Sequence, residues 1–192
     1  MLKNTKEKEN DEYTKIFKEI ATYKNSKLKS DLKLFGINTE KSCGVSIKDL
    51  RKIAKRIGKN HNLSLRLWDS GIREARILAS MIDDPVLVNS DQMEMWVNDF
   101  NSWDVCDECC ANLFVKTHFA HEKAIIWSKR NKEFVKRAGF VLMANIVIHE
   151  KDINTDELVE FIKEIKANNN EKRPIVRKAI KWALREIRKR GY

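Results

Sequence analysis

Trp103 and Asp107 stand at i and i+4, which on a helix places an indole and a carboxylate on one side, about 40° apart. Cys106, Cys110 and Phe114 share that arc, while Asp104 and Glu108 point away. Asp107 therefore falls on the seam between an apolar and a polar face, where a carboxylate is partly desolvated and can still reach a substrate. The same pattern also fits a core Trp with a rim Asp that caps the helix or pairs with a lysine, because aromatic residues at helical spacing usually face a core.

Two further residues could work beside it. Arg137 falls in the first turn of a segment, Phe134 to Ile148, that is apolar almost all round and should be buried. A guanidinium there suits an anion: the helix N-terminus already favours negative charge, and Arg grips a phosphate with two parallel hydrogen bonds. A salt bridge to Glu133 or to a central carboxylate is the competing arrangement. On the last helix the core stripe reads Val176, Ala179, Ile180, Ala183 and Ile187, and Trp182 lies off it, between Lys178, Arg185 and Lys189. A nucleic acid would satisfy both that ring and those charges; a neighbouring helix covered by the ring is the alternative.

Other chemistries find less support. Cys106 and Cys109 form a CxxC with Cys110 beside it and His118 and His121 downstream. Zinc fingers need a turn at the thiolates and a longer gap to their histidines, and this CxxC reads as helix interior. The cysteines are expected to be small buried thiols, with no metal. There is no glycine-rich phosphate loop, no dinucleotide motif and no Gly-x-Ser-x-Gly, which argues against nucleotide-dependent and serine-hydrolase chemistry.

The elements that must hold these residues are helical throughout. Tyr13, Phe17, Ile20 and Tyr23 give a first apolar stripe after a charged stretch, 1–10, expected to be a mobile tail. The spacing predicts helices over Leu28–Phe35, Ser46–Ile57, Leu63–Trp68 and Ile72–Ile82, then from Ser90 and from Ser102, and over 119–129, 133–149, 155–167 and 174–190. Ser46 and Asp49 read as a capping box, Ser90 reads as the cap of its helix, and Pro174 sits where a first turn tolerates it. No strand is predicted. The motifs around Ala75, Ala111, Ala138 and Ala179 resemble one another at irregular spacing, as in helix-pair repeats of the HEAT type. The expected fold is all-α: a curved, right-handed stack of antiparallel helix pairs, forming one domain over 11–192 with a long face for an extended partner.

Composition agrees with that class. The 192 residues include only 2 Pro and 6 Gly, too few for an all-β chain with its frequent turns. The net charge is +10, unevenly placed: residues 1–76 and 116–192 each carry 19 basic and 10 acidic side chains, whereas 77–115 carry 8 acidic ones and no Lys or Arg. A basic excess of this size points to an anionic partner such as nucleic acid. The N-terminal sequence has no apolar core of a secretory signal, no run is long enough to span a bilayer, and clustered thiols fit a reducing compartment. A cytoplasmic monomer with no membrane partner is the expectation.

Three motifs in register resemble one family. Ser102-Trp103-Asp104-Val105-Cys106-Asp107 is similar to the WD-x-x-D motif of the HEAT-like DNA alkylation repair glycosylases of the AlkD type. Phe134–Ala138 resembles that family's arginine helix, and Ala179–Glu186 its W-x-L-R-E helix. The first position departs from the best-known members, which carry a second Trp where this chain has Ser102. The resemblance implies a monofunctional DNA glycosylase, without cofactor, that excises cationic purines alkylated at N3 or N7 from duplex DNA. It implies Asp107 as the catalytic carboxylate, Trp103 and Trp182 against the deoxyribose, and Arg137 on backbone phosphate, with Lys178, Arg185 and Lys189 as further DNA contacts. From another class, a non-catalytic HEAT-like module that binds DNA or RNA by shape and charge fits the same basic stripe.

Overall fold

The computed structural model describes residues 2–191, with side chains from Asp11 onward. Among the described residues the secondary structure is eleven α-helices and one short 3-10 turn, without a strand. The chain divides into two compact units, Met1–Leu87 and Val88–Tyr192. The chain passes from one unit to the other after α5, where Asp83, Asp84 and Pro85 end the helical pattern.

The first unit holds α1 (Leu2–Thr22), α2 (Ser26–Leu34), α3 (Ile47–Ile57), α4 (His61–Asp69) and α5 (Arg73–Ile82). The stretch expected as a tail belongs to α1, which begins at Leu2. Its residues favour helix individually, and a run without apolar periodicity says nothing against one. Leu50, Ile53, Leu67, Trp68, Ile77 and Leu78 are fully buried where α3 and α4 pack on α5. The connection before α3 is fixed by a buried carboxylate. Glu74 accepts from the Ser42 hydroxyl at 2.7 Å and from the Cys43 and Gly44 amides at 3.0 Å. Burial works to raise its pKa, but those donors and Arg73 outweigh it and hold the carboxyl below its ordinary range. Gly44 is required there: its φ is +73°, and a Cβ would meet the Asn25 carbonyl oxygen at 2.2 Å.

The second unit holds α6 (Ser90–Asn98), α7 (Trp103–Asn112), α8 (Ala120–Ser128), α9 (Glu133–His149), α10 (Thr155–Ala167) and α11 (Pro174–Arg188). The central helix is α9, buried from Val135 to Val147 except at Lys136, with α7, α8 and α11 packed against it. Each large apolar side chain withdrawn from water there contributes about 1.5–3 kcal/mol. The rings of Trp96, Phe100 and Trp127 gather around Phe114 at 5.6–6.3 Å between centroids. α6 is capped by Asn89, whose side chain accepts from the Gln92 amide, and not by Ser90 as the sequence suggested. Ala75, Ala138 and Ala179 are buried as the repeat pattern requires, but Ala111 is half-exposed and Cys110 takes the buried place.

Candidate functional site

α7 starts after an extended Ser102 and positions Trp103 and Asp107 one turn apart. Its first turn leaves backbone N–H groups without helical partners. Asp104 answers that need: it accepts from the Ser102 hydroxyl and from the Val105 amide at 2.9 Å. Asp104, expected to point away from the Trp103–Asp107 arc, is buried at this helix start. Cys106, Cys109 and Cys110 lie fully buried as thiols outside any disulfide, with Cys106 and Cys110 facing the carbonyls of Phe134 and Ala138 on α9. Burial pushes the thiols of Cys106 and Cys110 up, so both are inert protonated packing groups.

Asp107 lies at the edge of that packed face, its side chain 23% exposed. Arg137, one turn into α9, closes on it with two parallel hydrogen bonds, Nε to Oδ1 at 2.9 Å and Nη2 to Oδ2 at 2.7 Å. The Arg137 side chain is 7% exposed. Its Nη1 donates to the Ile175 carbonyl in the first turn of α11, and its guanidinium lies 6.0 Å from the centre of the Trp103 ring. Three helices therefore meet at one guanidinium. Of the two arrangements open to Arg137 from sequence, the free protein has the one in which a central carboxylate holds it.

The electrostatics of Asp107 are a contest. Burial raises its pKa, the Arg137 hydrogen bonds and charge lower it, and Asp104 and Glu108 raise it slightly; burial prevails and the carboxyl titrates above its ordinary range. Arg137 is shifted further up, so it stays protonated.

Trp103, Asp107 and Arg137 are thus brought together. Trp182 is half-buried on α11, off the buried stripe of Val176, Ala179, Ile180, Ala183 and Ile187. It lies seven residues after Ile175, hence on the same side of α11 and about 10 Å further along it. Lys178, Arg185 and Lys189 are exposed on this side. Arg185 and Lys189 both bind Glu186, at 3.1 and 2.7 Å, which orders their heads along the helix.

Sequence reasoning missed a second polar node. Glu94 on α6 accepts from Lys123 at 2.8 Å, from the Trp127 indole at 2.9 Å and from Arg130 at 2.7 Å, tying α6 to α8. Its partners lie about thirty residues away, beyond the reach of any local spacing rule.

The family model described as DNA alkylation repair enzyme matches residues 16–191. A solved structure described as a new family of proteins related to the HEAT-like repeat DNA glycosylases, with affinity for branched DNA structures, has the same fold. The TM-score is 0.83 at 18% identity, with 91% of this chain and 75% of that one covered. No curated protein matches in sequence.

Proposed function

This chain belongs to the DNA alkylation repair enzyme family, and on that premise we propose that it is a monofunctional glycosylase removing N3- or N7-alkylated purines from duplex DNA. The observation that carries the reading is the half-buried Asp107 carboxylate, gripped by Arg137 beside the Trp103 ring.

An alkylated purine already bears positive charge, so it departs without a general acid. The barrier lies in the sugar, where cationic character grows at C1′ as the N-glycosidic bond lengthens. The bonding pair leaves with the purine and neutralises it. A water oxygen bonds to C1′, and its proton passes to Asp107. A carboxylate withdrawn from water stabilises that cation more strongly than a solvated one would. The faces of Trp103 and Trp182 add contacts worth about 1 kcal/mol each. Arg137 has five N–H donors; those not directed at Asp107 or Ile175 suit a backbone phosphate, and Lys178, Arg185 and Lys189 extend that contact without reading sequence. The reaction asks for no cofactor, and the protein is proposed to work as a cytoplasmic monomer.

A second reading is favoured by the structural relative, itself described by its affinity for branched DNA. Here Arg137 would neutralise Asp107 permanently and the protein would hold DNA without excision. The two part cleanly in one assay. Incubation with N-methylated duplex, followed by chromatography of released base, shows free methylpurine for the glycosylase. A gel shift on a four-way junction with no released base shows the binding module.

A further inference from the structure

Away from Asp107, one histidine is held among four carboxylates. His121, on α8, faces Glu150 at the end of α9: its Nε2 is 3.0 Å from both Glu150 oxygens. Its Nδ1 faces Glu157 of α10, 3.3 Å from Oε1, yet it is a buried atom without a hydrogen-bond partner. The ring stacks on Phe161 at 5.8 Å, which fixes its plane. An open cavity of about 260 Å³ adjoins it, lined also by Glu122, Glu157 and Glu160.

We propose that His121 Nδ1 and Glu157 bind a divalent cation of the zinc class, with Glu150 orienting the imidazole from its other side. A 3.3 Å gap with poor hydrogen-bond alignment is a weak contact between His and Glu. It is, however, the separation of two ligands on one tetrahedral ion, about 3.3–3.4 Å for metal bonds near 2.0–2.1 Å. A ligating histidine commonly donates its second N–H to a carboxylate, and the two-oxygen contact with Glu150 is that arrangement. An N,O donor set suits a borderline cation better than a soft one. The adjoining cavity has room for water to complete the shell, and Glu160, one turn after Glu157 on α10, is placed to join it. His121, Glu150 and Glu157 offer ligand atoms within 4.8 Å of one another. Such an ion would clamp α8 to α10.

The test is calorimetric titration of the protein with zinc chloride, paired with thermal melts. One equivalent should bind, with a melting temperature that rises with zinc. His121→Ala and Glu157→Gln should each weaken binding tenfold or more and abolish the thermal shift, and Glu150→Gln should weaken it about tenfold. His118→Ala, on an exposed neighbouring ring, should change nothing. If His121→Ala fails to fold by circular dichroism, Glu157→Gln decides alone. No binding by the native protein, or binding untouched by the substitution that folds, would overturn the proposal.

Discussion

A carboxylate that is to meet a developing cation must stay ionised while withdrawn from water, and in Asp107 those demands pull against each other. Burial lifts its pKa and Arg137 draws it back, leaving it above the ordinary carboxylate range. Since only the anion can stabilise the sugar cation, excision should fail on the acid side at a pH above that of a solvated Asp. Arg137→Gln should move this acid limb to still higher pH, which a pH–rate profile under single-turnover conditions would show; an unmoved limb would mean that Arg137 does not govern the ionisation. For stability the sign reverses: a carboxyl whose folded pKa is raised contributes stability at low pH and loses it as pH rises through the folded pKa. The Trp103–Asp107 arc was legible from spacing alone, as were the buried cysteines. The bidentate partner was legible only as one choice among several, because a helix wheel shows which side a guanidinium leaves by and not which of several carboxylates it meets.

α9 and α10 run over the residues their sequences predict, since continuous apolar character, an Asn154 capping box and the following polar residues set their ends. Other element features escaped because a competing local group won: Asn89 over Ser90 as a cap, and Cys110 over Ala111 in the packed position. One position on α9 deserves a substitution. A Cβ on Gly139 would sit 2.4 Å from the Ser128 amide nitrogen and 2.9 Å from the Ala124 carbonyl oxygen, so this glycine is what lets α8 lie close. In an exposed helix Gly→Ala would stabilise by about 1 kcal/mol. Here the clash is with backbone that cannot swing aside, and overpacking of this kind costs about 1–3 kcal/mol. Gly139→Ala should therefore lower the melting temperature by several degrees; a rise would show that the two helices separate freely.

The charge layout extends the same reasoning to the chain. Cations are absent from 77–115, the stretch that carries Asp107, and crowd both flanks. The one guanidinium on Asp107 comes from outside that stretch and is buried, whereas Lys178, Arg185 and Lys189 are exposed. The division into two units was invisible to periodicity, which records helices and not which of them pack together. If Lys178, Arg185, Lys189 and a fourth cation neutralise phosphates, DNA affinity should fall about a hundredfold between about 50 and 200 mM salt. Lys178→Gln should flatten that slope, a fluorescence-anisotropy measurement. The central claim is that Asp107 does chemistry, and it is tested by base release from N-methylated duplex DNA under single-turnover conditions, native protein against Asp107→Asn, with DNA binding checked in parallel. The account predicts release by the native protein and a loss of at least a hundredfold in rate, about 2.7 kcal/mol, with DNA still bound. Equal release by both proteins, or none by the native one, would contradict it.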